Sequence, residues 1–389
     1  MEDTRFDQIR PFPEDKAVRT LHRLSFNPLM AVASKFVFPD EPLFRLGRMV
    51  RRVESVDDFQ CGVMAPVIDA LLERTSSGFV CDGMENVRPD RTFLAISNHR
   101  DITLDAALTQ LALHRHNIPL MELCIGSNLM DDNKIASGLL RSVKMIRVIR
   151  GLPAREAYAA SHLLSEYIRE TVAGGRSSIW IAQKEGRAKN GIDKTAHGVI
   201  KMLDMSGMKG FYENFAELDI TPMSISYEYE PCDIHKAREV LIASKQRYIK
   251  KKGEDTRSIL DGLRMWKGGI HLSVCRPLSD DELKMASACE RAQRYQMVRD
   301  MIDRRIIEGY KLWNTNYIAY DLLGGHEKYA SLYSSSEREA FVDYAEHRLE
   351  TVEPEINRDD LRRQFYSLYA NPVLSKENSR WPCPSWHRG

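Results

Sequence analysis

Residues 93–107, FLAISNHRDITLDAA, constrain the fold of this chain more than any other stretch. The apolar run Phe93-Leu94-Ala95-Ile96 reads as a buried strand. Ser97 and Asn98, residue types that favour caps and turns, end it. Leu104, Leu108 and Leu111 then recur with helical spacing. His99, Asp101 and Asp105 therefore sit where a strand hands over to a helix. In α/β sheets, ligands gather at the carboxyl ends of strands. A histidine held there by a carboxylate can take a proton from a hydroxyl and keep the resulting charge beside an anion. The competing reading of the same residues is a helix cap and a satisfied polar pair.

His99-Arg100-Asp101 also spells the first letters of a protein-kinase catalytic loop. That pattern requires an asparagine five residues after the aspartate, and Ala106 stands there. No glycine-rich phosphate loop and no DFG accompanies it. The chain's 389 residues suffice for a full core and more than one unit. A 43% hydrophobic and 29% charged composition is that of a soluble globular protein. A net charge of +1 excludes a general pull toward nucleic acid or anionic lipid, though not a local patch. The 7 cysteines are scattered without metal or redox spacing, and their number is odd, which fits reduced thiols in a cytoplasmic setting. The polar start MEDTRFDQIR does not read as a signal peptide. No apolar run approaches the roughly 20 residues of a membrane span, so work on lipids would be done from the bilayer surface.

Strands alternating with helices from about residue 76 predict an α/β layered domain over 76–278, with a charged helical insertion at about 234–266. Residues 1–75 read as a helical region broken by prolines, 279–374 as a second helical region, and 375–389 as a flexible tail. The expected strands cover 78–81, 93–96, 121–125, 145–149, 178–182, 219–229 (interrupted by Pro222) and 271–274. Helices are expected at 102–114, 134–143, 153–172 and 194–205. Within the first region, LFRLGRMVRRV places Leu43, Leu46, Met49, Val50 and Val53 on one side and Arg45, Arg48, Arg51 and Arg52 on the other. The preferred reading is a helix packed on the core, with its arginines in water. The alternative is a basic amphipathic helix lying in a membrane interface.

Three further stretches follow predicted strands. Arg150 ends the run Met145–Ile149, beside Gly151, where it can grip a phosphate or carboxylate. In the loop 183–193, Glu185, Gly186 and Arg187 combine hydrogen-bonding groups with a flexible backbone that lets a ligand approach closely. Ile220-Thr221-Pro222-Met223 carries no reactive group and reads as a pocket wall. In order and spacing, Asn98-His99-Arg100-Asp101-Ile102-Thr103-Leu104-Asp105, Val148-Ile149-Arg150, Gln183-Lys184-Glu185-Gly186-Arg187 and Ile220-Thr221-Pro222-Met223 resemble the four blocks of the glycerolipid acyltransferase family. The resemblance covers about residues 76–230 and is nearest to long bacterial members without membrane spans. It departs from the family in two ways. His99 and Asp105 have five residues between them where the family pattern NHxSxxD has four. The third block lacks the family's proline and threonine.

The resemblance implies an α/β layered glycerolipid-acyltransferase-like sheet flanked by helices. It implies an O-acyltransferase that moves a fatty acyl group from acyl-CoA or acyl carrier protein to a hydroxyl of a lysolipid such as lysophosphatidic acid, in phospholipid biosynthesis. His99 would be the general base. Asp105, or Asp101 in its place, would hold the imidazole. Asn98, Arg100, Arg150, Glu185, Gly186 and Arg187 would contact substrate. No metal and no cofactor are implied. The partners are donor, acceptor and, peripherally, the cytoplasmic face of the inner membrane, with no nucleic acid. Two rival readings keep the fold: a lipid-binding scaffold that has lost catalysis, supported by the altered first block, and an acyl thioesterase.

Overall fold

The computed structural model describes residues 4–131 and 134–379. Seven strands form one sheet: β1 (Gly78–Asp82), β2 (Leu94–Ser97), β3 (Glu122–Gly126), β4 (Met145–Val148), β5 (Ile179–Ala182), β6 (Ile220–Tyr227) and β7 (Gly269–Val274). Their order across the sheet is β1-β7-β6-β2-β5-β3-β4. From β6 to β4 every pairing is parallel, and β7 runs antiparallel to β6. The central strands β2 and β6 are buried along their whole length, as strands covered on both faces are, with Ser97, Thr221, Ser224 and Ser226 enclosed among their apolar residues. The edge strand β1 alternates between exposed and half-buried residues. The carboxyl ends of β2 to β6 share one edge, so the stretches that follow β2, β4 and β5 are brought to one side, while residues 220–223 open β6 and lie beside β2.

Helices cover both faces. On one, Val50, Phe59, Ile68 and Leu71 of the N-terminal region join Leu104, Leu108, Trp180 and Ile225 in a single cluster. The N-terminal region is thus a layer over the sheet. On the other face, helices Ala154–Val172 and Arg291–Gly309 bury Ile168, Ile302 and Ile306 against Leu94, Ile96 and Ile181. Truncating a residue as fully enclosed as Ile96 would cost about 2–5 kcal/mol. A third cluster joins Ile234 and Leu241 to Ile318, Phe341, Phe365 and Tyr369, so the C-terminal helices grip the helix Asp233–Lys245.

Several expectations need correction. β6 is not interrupted at Pro222. The Pro222 carbonyl accepts from Cys275 N, so its nitrogen also faces the β7 side, one residue beyond the Met223↔Val274 end of that ladder. No donor is missing where none is needed. The helix expected over 194–205 is limited to His197–Asp204, because Asp193 and Thr195 are tied down by side-chain bonds before it. The tail expected from 375 begins as helix, since Arg358–Ser379 continues through Pro372; residues 380–389 lie outside the described residues. The segment at 43–53 takes the core-packed form. Leu46, Val50 and Val53 are buried, while Leu43 and Phe44 are exposed.

Candidate active site

Asp101 shapes the turn between β2 and its helix. Its Oδ1 accepts from Thr103 N and Leu104 N, both at 2.8 Å, satisfying donors that open the helix Leu104–Arg115. This turn accommodates the extra residue between His99 and Asp105. Asp105, in the first turn of the helix, then reaches back to the histidine. His99 Nδ1 donates to Asp105 Oδ2 at 2.8 Å, and the same oxygen accepts from Arg100 N and from Asp101 N at 2.9 Å. Of the two aspartates, Asp105 is therefore the one beside the ring. The Asp105 side chain is 1% exposed and that of His99 16%. His99 Nε2 has no protein partner among the described residues, and the ring meets Trp180 edge-on at 5.9 Å. Ala188 N bonds the His99 carbonyl at 2.7 Å, so the loop after β5 closes over this turn.

Tyr227 was not singled out in the sequence. Its hydroxyl donates to Asp105 Oδ1 at 2.7 Å from the end of β6. Burial, followed by the charges of Asp105 and Asp101, holds its phenol well above the usual range, so it stays a donor. Only its place as the last apolar residue of the β6 run hinted at it, and 122 residues separate it from Asp105.

Two expected substrate contacts are instead internal. Asn98 is fully buried. Its amide brackets Ile225, donating to the carbonyl at 3.0 Å and accepting from the N–H at 2.8 Å, and it also donates to Asp193. It replaces a strand partner where β2 ends. Arg100 is fully buried too, paired with Asp193, within 3.5 Å of Glu230, and stacked against the Tyr310 ring. Lys236 completes the group by donating to Glu230 at 2.7 Å and to the Arg100 carbonyl at 2.6 Å. Burial opposes the Arg100 charge, but Asp193, Tyr310 and Glu230 hold it well above its ordinary value. Removing this arginine would strand buried carboxylates, a change that costs about 3–5 kcal/mol in comparable pairs.

The remaining residues lie along the same edge of the sheet. Arg150, whose N–H donates to Ser127 Oγ, faces Glu185 at 3.6 Å; the Glu185 side chain is 75% exposed. Gly186 adopts φ +72 in the turn of that loop, which suits glycine. Arg187 does not join Arg150 in any contact among the described residues. Among the described residues its Nη1 is buried without a partner, and its charge acts on the Cys232 thiol, which burial raises and the nearby Asp101 carboxylate raises further. Beside them Lys267 is lowered to about 8, chiefly by burial, against the opposing pull of Asp101. A groove of about 1320 Å³ exists elsewhere, lined by Arg88, Pro119, Arg176 and Asp219 at the amino ends of the strands. None of the residues discussed so far for chemistry lines it. No group of three metal-ligating side chains occurs among the described residues.

A pair of this kind, at the carboxyl edge of parallel strands and followed by an arginine-bearing strand end and a charged loop, can take a proton from a hydroxyl held beside it. Residues 78–228 match the Acyltransferase family model, and they span β1 to β6 and every residue from Asn98 to Arg187 named above; the chain carries an acyltransferase domain and is by class an acyltransferase. Among solved structures it is similar to the 1-acyl-sn-glycerophosphate (LPA) acyltransferase PlsC from Thermotoga maritima, with 13% identity, a TM-score of 0.40, and coverage of 75% of this chain and 94% of that one. No curated protein matches it in sequence.

Proposed function

We propose that the protein transfers a fatty acyl group from a thioester donor, acyl-CoA or acyl carrier protein, to a hydroxyl of a lysolipid such as lysophosphatidic acid, in phospholipid biosynthesis. The observation that carries this reading is the His99–Asp105 pair, with Nδ1 engaged and Nε2 open. Nε2 takes the proton of the acceptor hydroxyl as its oxygen bonds to the thioester carbonyl carbon. Asp105 stabilises the imidazolium that forms. Collapse of the tetrahedral oxyanion breaks the C–S bond, and the proton passes from His99 to the leaving thiolate. Arg150 binds the acceptor's phosphate. Glu185 and Gly186 line the acceptor side of the opening, while Arg187 is turned toward Cys232.

No described helix is long and apolar enough to cross a membrane, so the lipid substrates are met at a surface. With Leu46 and Val50 turned inward, the docking element shifts to Phe26, Leu29 and Val32, which are 72%, 62% and 66% exposed, and to Phe44. Arg51 lies over the Phe26 ring, and Arg48 and Arg52 are exposed nearby in sequence, a pairing of apolar and basic groups suited to the anionic cytoplasmic face of the inner membrane. Replacing Phe26, Leu29 and Val32 by Ser should abolish co-sedimentation with anionic vesicles; unchanged binding would dismiss this element. The transfer reading is tested by incubating the protein with acyl-CoA or acyl carrier protein thioesters and a panel of lysolipids. Diacyl product is expected. Free fatty acid alone would indicate a thioesterase, and no turnover would indicate a scaffold.

A further inference from the structure

Asp105 is held from two directions. Its Oδ2 collects three donors from the turn itself: His99 Nδ1, Arg100 N and Asp101 N. Its Oδ1 has one donor among the described residues, the Tyr227 hydroxyl. That donor arrives from another strand, and its placement is controlled. Asn98, the residue before His99, grips both backbone groups of Ile225. Ile225 and Tyr227 are two apart on β6 and so share a face of the sheet. The clamp that ends β2 thereby sets the height at which Tyr227 meets Asp105. The Tyr227 ring is 1% exposed within an apolar cluster, where a phenylalanine ring would pack equally well. Among the described residues, only the bond to Asp105 gives the hydroxyl a partner.

We infer that Tyr227 is a positioning residue of the transfer site: its hydroxyl stops the Asp105 carboxylate from rotating and so fixes the tautomer and aim of the His99 ring. A carboxylate held only through Oδ2 could swing about that oxygen, and the imidazole would swing with it. The bond also draws charge off Asp105, which sets how strongly Asp105 pulls on the Nδ1 proton. The inference rests on His99 acting as proposed above, and the test separates the two claims.

Three proteins are compared: wild type, Tyr227→Phe, and a protein with 3-fluorotyrosine at position 227, which keeps the hydroxyl but makes it a stronger donor. With palmitoyl-CoA and lysophosphatidic acid as probes, Tyr227→Phe is expected to lose about tenfold in kcat, a fraction of what a general base supplies. KM for both probes should stay unchanged, and the fluorotyrosine protein should retain near wild-type kcat. The second readout needs no substrate. It is the proton NMR resonance of His99 Nδ1–H, assigned by its loss in His99→Gln. Tyr227→Phe should move it downfield, as charge returns to Asp105, and fluorotyrosine should move it upfield. A resonance at the same place in all three proteins, or a Tyr227→Phe protein with wild-type kcat, overturns the inference. If Tyr227→Phe does not fold, the fluorotyrosine shift alone decides. If the wild type transfers no acyl group while the resonance still follows position 227, the transfer reading fails and the positioning of Asp105 stands.

Discussion

The sheet carries two histidine–aspartate pairs of nearly equal length. His99 Nδ1 lies 2.8 Å from Asp105, and His271 Nε2 lies 2.9 Å from Asp82. In environment they are opposites. At the first pair the carboxylate is enclosed, 1% exposed, and the ring reaches the surface. At the second the carboxylate is 60% exposed on the edge strand β1 and the ring, on β7, is 9% exposed. The free nitrogen of His99 is available, whereas Nδ1 of His271 is buried with no partner among the described residues. An enclosed carboxylate with four donors cannot turn away from its ring; an exposed one can turn to water, where such a pair contributes little. A hydrogen-bond distance is common to both, so what separates them is which nitrogen is committed and which side of the pair is sealed.

The largest expected effect separates the two rings. His99→Ala should lower kcat by at least about 10²–10⁴-fold, while His271→Gln should leave it unchanged; similar losses at both would erase the distinction. The carboxylates come next. Asp105→Asn should fall nearly as far as His99→Ala, because an amide can present a donor where Nδ1–H needs an acceptor, and Asp82→Asn should not alter kcat. Beyond the pair itself, Arg150→Glu should raise KM for a phosphorylated acceptor about tenfold while leaving donor KM alone; equal effects on both substrates would remove the phosphate role. The smallest effect concerns stability at the start of β7. Lys267 sits at about 8 in the folded chain against an ordinary 10.5, so the unfolded chain binds more protons between those values. Stability should therefore rise with pH from about 8 to 10.5, and urea unfolding of Lys267→Met should lack that part of the rise.

The contrast between the pairs also marks what was legible in the sequence. His99 and Asp105 are six residues apart across one turn, and their meeting follows from local chain geometry. The alternation of β2 to β5 with helices was readable for the same reason, since periodicity is a local signal. Asn98 and Arg100 were misassigned because their partners are remote. Asn98 ends on the backbone of Ile225, and Arg100 on Asp193 and Glu230, up to 130 residues away. An arginine beside a reactive histidine looks the same in sequence whether it faces substrate or is sealed among carboxylates. Arg187, expected like Arg150 to contact substrate, acts instead on Cys232. The C-terminal helices read as a separate region because no pattern links Glu230 to Tyr369, whose hydroxyl receives the Glu230 N–H at 3.0 Å.

The loop bearing Glu185 and Arg187 has a neighbour with further consequences. At Gly191, φ is +76, and a Cβ there would overlap the carbonyl oxygen of Leu368 in the last helix. Asn371 of that helix donates to the Asn190 carbonyl at 2.6 Å, across 181 positions of chain. The stretch that resembles other acyltransferases therefore leans on the last helix. A fragment ending at residue 228, where the family likeness stops, would keep His99 and Asp105 but lose the support under the loop beside them. The likeness ends at residue 228, while the contacts that support this loop come from the helix Arg358–Ser379. Insertions or deletions anywhere between the two would have to preserve that contact, so the C-terminal half carries a share of the constraint on the loop beside His99.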